Sequence, residues 1–371
     1  MAAPYTPSSD DKVILQLLPL GDVDQRFQQL RLEWKKNPLE ASVAAELATL
    51  YLDRAQDRAG ERYLGYAQAV LAPWSNSKTA SLDIRYLSAR LLQAQHQFVA
   101  AIHMLNSILK INPAHISARF SLASLYEARG EYQQGQQVCK QLGRNGEMVL
   151  AALCVANFWT LTNKSERGLR LLISLMYQVE DPILKSWVLG IMAQASFVAG
   201  QIKQADHYYQ QGLALTPKQA YLLTAYADFL LAQNRGKEVL ILLSGKIRDA
   251  RLLLRVALAH KMLRNNRALE VVLQRLRLGF EEAKWRVDNS GALVESRYLF
   301  EFEQEFARAL ELAYEHWQVE KSPYVARLIL NLSAEVGKNK ASVAVRRWLI
   351  QEQIQRKDLW LSFNGAEAIN L

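Results

Sequence analysis

Residues 122–132 read Leu-Ala-Ser-Leu-Tyr-Glu-Ala-Arg-Gly-Glu-Tyr, and this stretch decides the fold. Its apolar side chains recur every three or four positions, which is the period of an amphipathic α-helix. Ala123 is small, Gly130 follows seven residues later as a turn residue, and Gly135 lies in a second apolar-periodic run. The stretch therefore predicts two antiparallel helices joined by a short turn, with small residues where the helices cross.

The same pattern recurs along the chain, with small residues of successive copies separated by 34, 33, 37 and 34 positions. A turn residue follows each after seven positions, and a second small or β-branched residue after twelve. Because one helix pair leaves an apolar face uncovered, such a unit must stack on copies of itself to be stable. The first small residues are Ala89, Ala123, Ala156, Ala193 and Ala227; the turn residues are His96, Gly130, Asn163, Gly200 and Asn234; the second small residues are Ala101, Gly135, Gly168, Ala205 and Val239.

The composition agrees with helices throughout. The 371 residues include only 17 Gly and 9 Pro, too few for many short strands joined by tight turns. No run of 18 or more apolar residues lacks a charge or an amide, so the sequence predicts no transmembrane segment. We predict an all-α fold.

At these residues the chain resembles the tetratricopeptide repeat family. The copy at residues 122–132 is preceded by Pro113, and two further copies run from Met192 to Pro217 and from Tyr226 to Asn234. The resemblance implies a right-handed α-solenoid, a superhelix whose first helices line a concave groove. It covers residues 38–279, so we assign 1–37 to an N-terminal segment with capping helices, 38–279 to the repeat array, and 280–371 to divergent C-terminal helix pairs and a cap.

The chain also resembles exported bacterial tetratricopeptide proteins, through Pro4 to Pro7 and through Tyr226 to Leu231. Residues 1–11 lack a basic start followed by an apolar run, so they contain no intact secretory signal. Two interpretations remain: a mature exported, periplasmic chain, or a cytoplasmic protein. The resemblance favours the periplasm.

No motif for catalysis is present. The sequence lacks a Gly-rich phosphate loop, a His-Glu-x-x-His helix, a Cys-x-x-Cys pair and a nucleophile elbow, and its six His residues are scattered over different repeats. We therefore predict a non-catalytic protein with no cofactor and no metal site. Cys139 and Cys154 fall in neighbouring layers, so a disulfide is geometrically possible; the alternative is two buried, reduced thiols.

The groove that the resemblance implies has a mixed surface of aromatic and isolated polar side chains. Such a surface suits an extended peptide or a helix, because aromatics supply area while polar groups fix the register. The alternative for each aromatic, above all Trp187, is packing between layers. A clamp for a terminal carboxylate is not expected, since only Arg90 and Asn157 have suitable chemistry and they lie two layers apart. The groove-facing candidates are Tyr86, Arg90, Phe120, Ser124, Glu127, Asn157, Trp187, Gln194, Phe197, Tyr221, Thr224 and Asp228.

Positive charge is concentrated in residues 235–286, which carry 13 Lys or Arg against 5 Asp or Glu, a net charge of +8 out of the formal +9. Such a patch attracts an acidic protein segment, an anionic membrane surface or nucleic acid. Nucleic acid ranks lowest because no aromatics interleave with the arginines. The alternative is a solvated convex face. The candidates are Arg248, Arg251, Arg255, Lys261, Arg264 and Arg267.

The sequence therefore favours a protein- or peptide-binding scaffold that uses the groove, in the bacterial envelope. The alternative is a regulatory or accessory subunit that binds an acidic partner or charged ligand through residues 235–286. A third hypothesis is an enzyme with an unrecognised site in residues 280–371. Neither the partner nor the oligomeric state follows from the sequence.

Overall fold

Local signals set where several helices begin. The side chains of Ser81, Asp181 and Asp249 each accept a hydrogen bond from a backbone N–H in the first turn of the helix that follows. Such caps satisfy donors that have no partner inside the helix. Pro182, at the first position after Asp181, adds a fixed helical φ where no backbone N–H is needed.

The computed structural model describes residues 22–57, 61–75, 80–246, 249–285, 291–337 and 340–354. In this part of the chain the elements are helices, and the predicted all-α solenoid is confirmed. None of these helices is long and apolar enough to cross a membrane. In chain order they are α1 (Asp22–Lys36), α2 (Ala41–Asp57), α3 (Glu61–Leu71), α4 (Leu82–Ala94), α5 (Phe98–Ile111), α6 (Ile116–Ala128), α7 (Tyr132–Arg144), α8 (Met148–Thr160), α9 (Ser165–Leu175), α10 (Pro182–Val198), α11 (Ile202–Leu215), α12 (Ala220–Ala232), α13 (Gly236–Leu243), α14 (Ala250–Met262), α15 (Asn266–Trp285), α16 (Ala292–Tyr298), a π-helical turn (Leu299–Glu303), α17 (Phe306–Val319), α18 (Pro323–Val336) and α19 (Lys340–Gln351).

Four of the five predicted turn residues adopt the left-handed backbone conformation that ends a helix. The φ angles are 56° at His96, 68° at Gly130, 76° at Gly200 and 58° at Asn234. Each lies between the first and second helix of a pair. This conformation lets the chain reverse after the first helix, so the predicted pairing of α4 with α5, α6 with α7, α10 with α11 and α12 with α13 is confirmed.

The predicted small residues mark where paired helices approach most closely. A Cβ atom added to Gly168 of α9 would lie 2.7 Å from the carbonyl oxygen of Ala156 in α8. These two positions are the crossing pair that the repeat predicts. The first small residues of all five copies are buried, with at most 2% of their surface exposed: Ala89, Ala123, Ala156, Ala193 and Ala227.

A disulfide joins α7 to α8. Cys139 and Cys154 are bonded, their Cα atoms lie 5.5 Å apart, and 15 positions separate them along the chain. The bond links the second helix of one pair to the first helix of the next. It therefore ties two layers of the array together in the middle of the core, where both residues are buried.

The buried apolar residues form two clusters. One lies within α1–α4, and the other runs from α4 through α19. The second cluster includes the last helices because they fold back onto the array. Most of helix α18 is buried, including its polar residues Asn331 and Ser333, so other helices enclose it.

Candidate binding groove

The first helices α4, α6, α8, α10, α12 and α14 lie side by side. The ring centroids of Phe120 in α6 and Trp187 in α10 are 5.7 Å apart, although α8 lies between these two helices in the array. Side chains can meet across an intervening helix only where the surface curves inward. This side of the array is therefore concave, as a groove requires.

The first helices that line the groove run in the same direction, so their N-terminal halves form one edge of the groove and their C-terminal halves form the other. We call Phe120, Trp187 and Tyr221, in the N-terminal halves of their helices, the N-terminal rim. Glu127 and Asp228, toward the C-terminal ends of α6 and α12, define the C-terminal rim.

The N-terminal rim is aromatic and partly open. Phe120 and Trp187 are half-buried and meet edge to face, an arrangement that aromatic rings prefer. Tyr221 is 39% exposed and lies over Gly190 of α10, where an added Cβ would come within 3.6 Å of the phenol oxygen. Partial burial raises the pKa of Tyr221 to about 12, so the hydroxyl stays a donor at neutral pH.

Two polar residues lie between the rims and face solvent. Ser124 of α6 and Gln194 of α10 are both exposed. A Ser hydroxyl and a Gln amide can each donate and accept hydrogen bonds. They supply the polar groups that could fix the register of a bound chain.

The C-terminal rim contains a partly buried acid, Glu127. Glu127 accepts a hydrogen bond from the Asn157 side-chain amide at 2.7 Å, and Asn157 is only 5% exposed. Burial raises the pKa of the Glu127 carboxyl to about 7, the Asn157 hydrogen bond lowers it, and the charge of Glu320 raises it further. The carboxyl is thus poised to lose its proton near neutral pH.

Asp228, the other acid of this rim, is neutralised by Arg255 of α14. The guanidinium donates two hydrogen bonds to the carboxylate, at 2.9 and 2.7 Å. Arg255 is 5% exposed and also lies 5.9 Å from the Tyr324 ring centroid. The placement of Arg255 in a solvent-facing basic patch was therefore wrong: it forms part of the groove wall.

The remaining groove candidates make contacts within the array. The Tyr86 hydroxyl lies 3.2 Å from the Ser121 hydroxyl, Arg90 donates to Asp53 at 2.9 Å, and Thr224 donates to a backbone oxygen in its own helix. Phe197 packs edge to face on Phe229, with ring centroids 5.4 Å apart. These four side chains shape the groove wall more than its open surface.

The other basic candidates do not form one continuous patch. Lys261 donates to the Glu301 backbone oxygen at 2.6 Å and pairs with its carboxylate at 3.1 Å. Arg251 pairs with Asp249 at 2.8 Å. The fold brings Glu301 from outside residues 235–286 to Lys261, so the charge count of this stretch alone overstates the charge available to a partner. Arg264 and Arg267 are exposed at the turn between α14 and α15, and Arg248 lies outside the described residues.

Metal-ligating side chains do not converge in the part of the chain that the structure describes: no group of three or more His, Cys, Asp or Glu is placed to hold an ion.

Comparison with known proteins matches residues 78–147 to the tetratricopeptide repeat family. The chain contains tetratricopeptide repeats. The matched segment includes α4–α7, the two layers that carry Ala89, Ala123 and the left-handed turns at His96 and Gly130. The match identifies residues 78–147 as tetratricopeptide-like helix pairs within an all-α helical array. Among curated proteins, none matches this sequence.

Solved structures resemble the tetratricopeptide array at low sequence identity. Human IFIT1, solved as a dimer with PPP-AAAA, is 11% identical with a TM-score of 0.48, covering 90% of this chain and 96% of that one. Yeast Tom70 is 12% identical with a TM-score of 0.44, covering 90% and 86%. The APC/C hetero-tetramer Cut9-Hcn1 is 13% identical with a TM-score of 0.40, covering 89% and 69%. The proposed function does not rest on these similarities.

Sequence reasoning missed the residues that attach the C-terminal helices to the tetratricopeptide layers. Trp348, Glu352 and Lys321 contact the turn between α6 and α7. The partners in the Trp348 and Glu352 contacts are about 220 positions apart in the chain, so no local motif signals them. The one available sign was the apolar run Leu328, Ile329 and Leu330 within α18.

Proposed function

We propose that this chain is a scaffold that holds an extended segment of another protein along the N-terminal rim of its groove. The Phe120–Trp187 pair carries the proposal, because both rings are half-buried on the concave side and meet across a helix. Tetratricopeptide-like solenoids present extended concave surfaces of this kind for binding. Rigid aromatic rings supply contact area at low entropic cost.

The chemistry around the pair supports an extended ligand rather than a small one. Ser124 and Gln194 offer hydrogen bonds between the rims, and the partly exposed Tyr221 ring adds aromatic surface at the edge. Polar groups spread along a strip fix the register of a chain, while the aromatics receive its apolar side chains.

Charge-driven binding through residues 235–286 has less support. Arg255 and Lys261 are engaged by Asp228 and Glu301, and Arg251 is paired with Asp249. Exposed charges also contribute little affinity once salt screens them.

The groove is tested by placing bulk on its exposed polar positions. We expect the double variant Ser124→Arg with Gln194→Arg to lose most captured protein, because two long side chains would fill the space between the rims. Both positions are exposed, so the fold should be unaffected. The measurement is pull-down from lysate of the source cell, read by quantitative mass spectrometry.

The matched control places arginines on second helices. Gln137 of α7 and Gln211 of α11 are exposed, so Gln137→Arg with Gln211→Arg adds the same charge away from the groove. Capture that survives in the groove variant but is lost in the control would contradict the proposal. Capture that disappears from the unmodified chain at high salt would favour the charged region instead.

We further propose that the protein works in the bacterial envelope. The disulfide between Cys139 and Cys154 supports this location, because such bonds persist in oxidising compartments and are rare in the cytosol. Alkylation of the protein in intact source cells, followed by mass spectrometry, should find both thiols blocked. Two alkylated thiols would indicate the cytoplasmic alternative.

A further inference from the structure

The C-terminal helices end against the turn between α6 and α7. The Lys321 backbone N–H donates to the Ala128 carbonyl oxygen at 2.7 Å, and the Trp348 indole N–H donates to the Gly130 carbonyl oxygen at 2.8 Å. An added methyl group on Gly130 would lie 2.6 Å from Trp348 Nε1. Helices α17–α19 are therefore held at the end of α6 by directed hydrogen bonds in a close fit.

Glu352, directly after α19, caps the first turn of α7, although the two segments are 220 positions apart in the chain. Glu352 accepts hydrogen bonds from the backbone N–H groups of Tyr132 at 3.0 Å and Gln133 at 3.3 Å. Donors at these positions have no partner inside the helix, and Glu131, at the N-cap position, provides no side-chain cap. Glu352 is 4% exposed; burial raises the pKa of its carboxyl, and the two backbone N–H groups oppose this rise. Docking thus satisfies polar groups on both sides of the contact.

Aromatic packing reinforces these hydrogen bonds. The Trp348 ring lies edge to face with Trp317 of α17 at 4.9 Å and with Tyr132 of α7 at 5.7 Å between centroids. Nearby, the Asn163 backbone N–H donates to the Gln353 carbonyl oxygen at 3.0 Å. The contact therefore reaches two successive layers, at the ends of α6 and α8.

Residues 320–324, the connection between α17 and α18 together with the first two residues of α18, form a junction that crosses the C-terminal rim of the groove. At one end Glu320 is close enough to Glu127 to raise the pKa of its carboxyl, and Lys321 is bonded beside it at Ala128. At the other end the Tyr324 ring lies beside Arg255, which holds Asp228. This junction is thus bonded to Ala128, next to Glu127, at one end and packs beside Arg255, the partner of Asp228, at the other.

We infer that helices α17–α19 and the 320–324 junction form an autoinhibitory clasp that closes the C-terminal rim. A bound segment reaches only the N-terminal rim while the clasp is docked, and the full width of the groove opens when it undocks. The role of the clasp in regulating partner binding rests on the proposed function. Its opening and closing can be measured without any partner.

A single introduced thiol reports on the rim. The chain has two cysteines, and both are in the disulfide, so Glu127→Cys provides one free thiol under the clasp and Gln194→Cys provides one outside it. Gly130→Ala should undock the clasp because the new methyl group meets Trp348. The matched control is Gly200→Ala, which occupies the same turn position at a φ of 76° but has no atom within 4 Å of the added group.

We expect maleimide to label Glu127→Cys about tenfold faster when Gly130→Ala is added, as the loss of one or two buried hydrogen bonds would allow. The rate at Gln194→Cys should stay the same, and Gly200→Ala should change neither rate. Equal labelling of Glu127→Cys with and without Gly130→Ala would overturn the inference. So would an equal increase with Gly200→Ala, because backbone strain alone would then explain it.

Glu352→Ala provides a second way to undock the clasp without altering any turn. It should accelerate labelling of Glu127→Cys as Gly130→Ala does, and an unchanged rate with Glu352→Ala would likewise overturn the inference. These rates are independent of partner capture. If the labelling rates contradict the clasp, the capture result for the Ser124→Arg and Gln194→Arg variant is unaffected. If that variant keeps its captured protein, the labelling rates still test the clasp.

Discussion

At the scale of single residues, Gly135 of α7 shows why one copy of the repeat needs glycine at the position of the second small residue. The resembling family usually has Ala at this position, but here the Phe158 ring of α8 occupies the space that a Cβ would need. Phe158 is itself 1% exposed. A large ring of the next helix pair thus packs directly on the glycine backbone of α7.

We expect Gly135→Ala to lower the free energy of unfolding by about 2 kcal/mol, because overpacking forces a buried ring to move. The control is Gly65→Ala in α3, where an added Cβ meets nothing within 4 Å. That change should be neutral or stabilising by up to about 1 kcal/mol. Urea unfolding followed by circular dichroism measures both, and equal effects would contradict the packing argument.

Glu127 makes stability depend on pH in a defined window. Its pKa rises from an ordinary 4.5 to about 7 in the folded chain, mainly through burial. Between these values the folded state holds a proton that the unfolded state has lost. This contribution is therefore complete below pH 4.5 and disappears as the pH rises through 7.

Glu127→Gln removes this titration and still offers Asn157 an acceptor. We expect the variant to be more stable than the original by about 3 kcal/mol at pH 8 and to differ little from it near pH 4.5. Urea midpoints at the two pH values provide the test. A difference between the two proteins that does not change with pH would show that Glu127 titrates normally.

At the scale of elements, the pairing of helices was predictable from the sequence because it depends on local spacing. The small residues and four of the five turn residues adopt the predicted roles, since the helical period and the left-handed turn are set within about 35 residues. The ionic contacts were not predictable in the same way. Arg255 and Lys261 find Asp228 and Glu301 on other helices, 27 and 40 positions away.

The disulfide between Cys139 of α7 and Cys154 of α8 stabilises the packing of these two helices. The disulfide closes a loop with a sequence separation of 15, and a crosslink of this size stabilises a fold by about 2 to 3 kcal/mol. We expect reduction with dithiothreitol to lower the urea midpoint accordingly. The variant Cys139→Ala with Cys154→Ala should start lower and not respond to reductant. A shift in the urea midpoint of that variant on reduction would show that dithiothreitol acts on something other than this disulfide.

At the scale of the whole molecule, the array is closed by its own C-terminal helices. One apolar cluster extends from α4 to α19, and the hydrogen bonds of Trp348 and Glu352 join segments that are about 220 positions apart. No periodic pattern encodes such a contact, so the sequence predicted the superhelix but not its closure. The closure leaves the N-terminal rim as the open part of the groove.

Residue-resolved amide hydrogen exchange tests this closure most directly. The backbone N–H of Gln133, in the first turn of α7, depends on Glu352, whereas that of Val99, in the first turn of α5, follows an N-cap without a side-chain hydrogen bond. We predict slow exchange at Gln133, fast exchange at Val99, and fast exchange at both in Glu352→Ala. Equally fast exchange at Gln133 and Val99 in the unmodified chain would contradict the closed array.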